Sequence, residues 1–260
     1  MFKGFNIKDV TFDDVSSMKK EYIRKNRNQF FSIKSDFVIP IELYLKKGFV
    51  LDGNALKQGW FPSQNRFDIF ISHSRDDEDL SYALAEWLYV NFNLTSFIDS
   101  LVWKHFSSLR QGLDSFFFKK YGTKYNSLFK DRVCQHVLLM LNTSLMEVMD
   151  RCECLFFLNT PQSVEVSEIG NYLTDSPWLF SEIGMFNSIQ KKQRRRNLSE
   201  AQESAACFSK IQYKLNLSDF STLDADDLNQ WVNMVARNKR MQIKRHPLDT
   251  LYNYCSRKKK

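Results

Sequence analysis

Apolar and polar positions change period several times along the chain, and each change predicts an element. Phe67-Asp-Ile-Phe-Ile71 is a short β-rich run of the kind that forms a buried parallel strand. A polar loop, Ser72-His-Ser-Arg-Asp-Asp77, follows it and offers several helix N-caps. Leu80, Ala83, Leu84, Trp87 and Leu88 then recur at helical spacing, and residues 94–98, closed by Asp99, predict a second strand. This is a βαβ unit with a right-handed crossover. Residues 101–132 have no clean period and contain Gly112 and Gly122 as breakers, so they read as an insertion with some helix near 106–118. Val133, Val137, Leu141, Leu145 and Val148 mark an amphipathic helix to Asp150, and residues 152–158 mark a third strand. Ser176 as N-cap and Pro177 at the first helical position start a helix whose apolar face is Leu179, Ile183, Phe186 and Ile189. Residues 211–217 alternate as a fourth strand, and helices are expected over 224–235 and 248–254.

Strand alternating with helix in this way predicts an α/β fold, a flavodoxin-like parallel sheet flanked by helices. Residues 1–65 mix charge and aromatics without a period, apart from a helix expected at 14–27. They read as an N-terminal extension packing on a domain of residues 66–255, which carries the 101–132 insertion after its second strand. Residues 256–260 read as a basic tail. Ligands of such sheets sit outside the carboxyl ends of the strands. The loops after Ile71 and Leu158 are therefore expected to line a crevice, with Asp99 at its edge.

Composition changes this picture little. Twenty-three Phe against eight Gly and five Pro describe a packed, aromatic-rich globule and argue against disorder. No apolar run reaches the ~20 residues of a membrane span, and residues 1–20 lack a signal-peptide apolar region, so no membrane partner is expected. The five cysteines are odd in number and widely spaced, which points to a reducing, cytoplasmic setting without a disulfide framework. Cys152-Glu-Cys154 reads as strand and not as a metal site. Much of the net charge of +7 is local, in Lys191, Lys192, Arg194, Arg195 and Arg196 and in residues 257–260. These read as a solvated loop and the tail, so nucleic acid is not expected as a partner.

Three motifs carry a resemblance. Phe67-Asp-Ile-Phe-Ile-Ser-His-Ser74 resembles the opening strand of TIR domains, and Phe97-Ile-Asp99 resembles their second strand with its trailing acid. Ser176-Pro-Trp-Leu-Phe-Ser-Glu182 resembles the Ser-x-Trp-x-x-x-Glu helix start of TIR domains that consume NAD. The Arg-Asp-x-x-Pro-Gly and Phe-Trp boxes of animal signalling TIR domains are absent, which turns the likeness toward stand-alone bacterial TIR proteins of antiviral defence, as in Thoeris systems.

The resemblance implies cleavage of the nicotinamide–ribose bond of NAD+, as substrate and not cofactor, to ADP-ribose or a cyclised relative. It implies self-association through TIR–TIR contacts and a downstream effector that senses the product. Glu182 would be the catalytic carboxyl and Trp178, at i−4 on the same helical face, a wall of its cavity. Ser72, Ser74 and Arg75 would bind ribose or pyrophosphate, with Asp99 beside them. The alternative is a non-enzymatic TIR–TIR scaffold. On spacing alone, Glu182 is an ordinary solvated glutamate in a second helical turn. By the same measure Trp178 is a core anchor, Ser74 a cap and His73 a structural residue.

Overall fold

The computed structural model describes residues 3–25, 40–47, 50–61, 66–167, 170–189 and 213–258, without the side chains of 101–105. In chain order the elements are β1 (Lys3–Lys8), α1 (Val15–Lys25), β2 (Leu45–Lys46), β3 (Val50–Leu51), α2 (Gly53–Trp60), β4 (Ile69–Ser72), α3 (Glu78–Phe92) and β5 (Ser96–Ile98). Then come α4 (Ser100–Tyr121), α5 (Ser127–Arg151), β6 (Cys154–Asn159), β7 (Glu165–Val166), β8 (Tyr172–Thr174), α6 (Pro177–Ser188), β9 (Tyr213–Lys214), β10 (Phe220–Leu223), α7 (Ala225–Arg240) and α8 (Pro247–Lys258).

The fold is α/β. Five strands form one parallel sheet in the order β10-β1-β6-β4-β5. Pleating sends alternate side chains to opposite faces, and both faces are covered. Phe70, Leu155, Phe157 and Phe220 point toward α2, α4, α5 and α6. Phe5, Ile71, Phe156 and Leu223 point toward α1, α3, α7 and α8. On that second face Trp231 is fully buried, stacked on Phe92 with ring centroids 3.9 Å apart, and its Nε1 donates to Pro247 O. Helix α1 is tied to β5 by Tyr22 OH, which donates to Ser96 O at 2.6 Å, and to α3 by the Lys25–Glu86 ion pair at 2.5 Å.

With β1 set aside, the order β5-β4-β6-β10 is the flavodoxin-like sequence of strands. β1 is slotted between β6 and β10. Residues 1–65 are therefore not an extension laid on a domain that begins at 66, because Lys3–Lys8 is an interior strand bonded on both edges. Its glycine explains how it fits. A Cβ on Gly4 would lie 2.7 Å from Phe186 Cζ, so only glycine lets α6 settle on the sheet here.

Other expectations are also corrected. Residues 101–132 are more helical than expected: they fall in a hairpin of two long helices, α4 and α5, that connects β5 to β6. Gly112 does not break α4, since the glycine makes room for Ile41, whose Cδ1 would stand 2.9 Å from a Cβ. Residues 213–214 alternate but pair with β8 in a small antiparallel sheet, and the fourth strand of the βα series is β10. Residues 256–258 are helical, and Lys258 holds the buried Asp227 at 2.6 Å instead of trailing as a tail. Asp52 is the N-cap of α2, accepting from Asn54 N and Ala55 N. The basic cluster at 191–196, Cys207 and residues 259–260 lie outside the described residues. Among those described, no helix is long and apolar enough to cross a membrane.

Candidate functional site

Strand β4 ends at Ser72, whose side chain faces α6, as the pleat requires after Phe70. Helix α6 begins where the sequence says it should. Ser176 accepts from Leu179 N and Pro177 follows at the first helical position. Leu179, Ile183 and Phe186 bury the helix on the sheet, and that seating turns Glu182 inward. Ser72 Oγ donates to Glu182 Oε2 at 2.6 Å across 110 residues of sequence, and Glu182 is 1% exposed.

Two further residues complete the cluster. Asp99 follows β5 and His73 follows β4, both buried, and His73 Nδ1 lies 2.8 Å from Asp99 Oδ1. Asp99 is also close enough to hydrogen-bond with the Glu182 carboxyl. Burial first, and then the Asp99 charge and that shared hydrogen bond, push Glu182 well above the usual carboxylate range; the Ser72 hydroxyl opposes this. For His73, burial favours the neutral ring, but the Asp99 charge and hydrogen bond outweigh it and raise the imidazole above its ordinary value. Burial and the neighbouring Asp99 thus bias Glu182 toward its protonated form beside the Ser72 hydroxyl, and the His73 ring is drawn toward its cationic form. Two carboxyls in such contact can share one proton, an arrangement that acid–base chemistry uses.

The loops that frame this cluster are tied together. Asp77 Oδ2 accepts from Ser74 Oγ and from Thr160 Oγ1, each at 2.5 Å, joining the loop after β4 to the loop after β6. Those two strands are neighbours in the sheet. Their connections leave toward opposite faces, β4 into α3 and β6 toward α6. That divergence defines the crevice at the carboxyl edge.

Ser72, Asp99 and Glu182 are thus brought together from three separate elements. Trp178 lies one turn before Glu182, half-buried, edge-on to Phe106 with centroids 6.0 Å apart. Ser74 is engaged with Asp77 instead of capping the 3-10 turn. Arg75 is exposed. His73 is the member that residue-by-residue reading assigned to structure alone. Its place directly after a strand end is the signal that marks it. Among the described residues, no group of His, Cys, Asp and Glu side chains has the geometry to hold a metal ion. Cys152 and Cys154 are buried, at the head of β6 and within it, as strand packing requires.

Comparison with protein-family models, curated proteins and solved structures gives no match for this chain.

Proposed function

We propose that the chain cleaves the nicotinamide–ribose bond of NAD+, with Glu182 as the catalytic carboxyl, and that it does so as a TIR-like enzyme of antiviral signalling. One observation carries the reading. The glutamate of the Ser-x-Trp-x-x-x-Glu motif is buried at the carboxyl edge of a parallel sheet, hydrogen-bonded to Ser72 and paired with Asp99.

The chemistry follows from the proton that pair holds. When the C1–N bond breaks, nicotinamide leaves with the bonding electrons and positive charge spreads over C1 and the ring oxygen. A cation at that position favours ionised Glu182, and its proton shifts to Asp99 without any change in the charge of the pair. The carboxylate then faces the oxocarbenium-like centre, as carboxylates do in glycosidases. Water or a ribose hydroxyl captures C1, the proton that this nucleophile loses leaves to solvent, and the shared proton moves back to Glu182, giving ADP-ribose or a cyclised product. Trp178 and Phe106 form an aromatic wall that keeps bulk water from the acid. Self-association through TIR–TIR contacts, and an effector that senses the nucleotide product, belong to the same proposal.

A scaffold without catalysis draws on one fact, the near-complete burial of Glu182. Incubation with NAD+ at high protein concentration, with products separated by chromatography, distinguishes the two. Nicotinamide with ADP-ribose or a cyclic relative supports the enzyme. Intact NAD+ under crowded conditions that promote assembly contradicts it.

A further inference from the structure

The carboxyl edge of the sheet has a second polar group, on the other flank of β6. The central strands end there at Lys8, Ser72, Ile98, Asn159 and Leu223, and Lys8 alone among them is charged. Lys8 and Asn159 are register partners in neighbouring parallel strands. By the pleat, Lys8 shares the face of Gly4 and Asn6, the face on which α6 and Glu182 lie. Its Nζ donates to Tyr172 OH at 2.8 Å and sits 4.7 Å from the centre of that ring. Beside it, Asn159 Nδ2 donates to Asn6 Oδ1 at 2.9 Å, and Asn6 is 3% exposed.

Lys8 is half-buried, and among the described residues no carboxylate forms an ion pair with it, Asp9 included. A cation in this position, held by a phenol and flanked by amides, is matched to an anion arriving from solvent. The topology supports this. β1 leaves toward α1 on one face and β6 leaves toward α6 on the other, so the crevice continues across β6 to this side.

We propose that Lys8, oriented by Tyr172, is the phosphate-binding group of the crevice and takes the pyrophosphate of a dinucleotide whose ribose reaches Glu182. The identity of the dinucleotide rests on the proposed function; the anion site does not. The spacing fits. Ser72 is in register with Phe157, and Phe157 with Asn6. Two strand spacings and two residues along β1 put the Lys8 and Ser72 Cα atoms about 12 Å apart. Two inward-reaching side chains and one ribose-phosphate unit fill that span.

The test is isothermal titration of the full chain with inorganic pyrophosphate and with ADP-ribose, using wild type, Lys8→Met, Lys8→Arg and Glu182→Ala, each checked for an unchanged circular dichroism spectrum. Wild type is expected to bind both probes. Lys8→Met should weaken both by about tenfold or more, while Lys8→Arg and Glu182→Ala retain pyrophosphate binding. Equal binding by wild type and Lys8→Met, or no binding of either probe by wild type, overturns the assignment. NAD+ cleavage measured beside it separates the two claims. Cleavage with a KM that Lys8→Met leaves unchanged sinks the subsite alone. Lys8-dependent pyrophosphate binding without cleavage leaves the subsite standing and removes the proposed reaction.

Discussion

Replacing Glu182 by Gln should change how stability depends on pH, and the direction can be worked out. The folded chain keeps Glu182 protonated well above the ordinary value of 4.5, whereas the unfolded chain ionises it near that value. Between the two, the folded state binds about one more proton, so stability falls as pH rises, by about 1.4 kcal/mol per pH unit. The proton belongs to the Glu182–Asp99 pair, and Gln removes its site. Gln also keeps an oxygen to accept from Ser72 and presents an amide donor to Asp99. His73 has a raised value too, so its contribution is present below about pH 6.5 and lost as pH rises further. Because His73 remains in both proteins, it largely cancels in the difference between them. Urea unfolding at several values from about pH 5 to 6 should show wild type losing about 1.4 kcal/mol more than Glu182→Gln across that unit. Parallel curves would mean that Glu182 is ionised when folded, and the account of the buried pair would fail.

Gly4→Ala should cost about 1–3 kcal/mol, because the new methyl meets Phe186 Cζ at 2.7 Å and Phe220 Cδ1 at 2.9 Å; an unchanged urea midpoint would contradict the packing of α6 on β1. Trp231→Ala should cost about 3–5 kcal/mol by emptying the centre of the second face, measured by the same unfolding assay. Ser176→Ala should cost about 1 kcal/mol through the lost bond to Leu179 N, and wild-type stability in that variant would show the cap to be idle.

The strands that were legible are those with apolar side chains on both faces. β4 and β6 are near-continuous apolar runs, and both lie in the sheet interior. β1 is just as central yet reads as polar, since one face carries Gly4, under Phe186, and Asn6, which bonds Asn159. Those choices make sense only once the partner elements are known. Alternation at 211–217 told of a strand but not of which sheet it joins, and Tyr213–Lys214 pairs with β8. Gly112 misled for a similar reason: a glycine within a helix marks the close approach of Ile41, a contact invisible in local sequence.

The site was more legible than the fold around it. Ser72 and Asp99 stand directly after β-rich runs, where parallel sheets put their chemistry, and Glu182 lies one turn beyond Trp178 on a helix with clear start signals. What could not be read was the pairing of Glu182 with Asp99, or the role of His73 beside it. Both depend on distances between elements. Arg75, in the same loop, is exposed.

The most direct measurement is the rate of nicotinamide release from NAD+ by wild type and by Glu182→Ala, at matched concentration and with folding verified. The account predicts release by wild type and a loss of about a hundredfold or more in the variant. Equal rates in the two proteins would contradict the assignment of the reaction to Glu182.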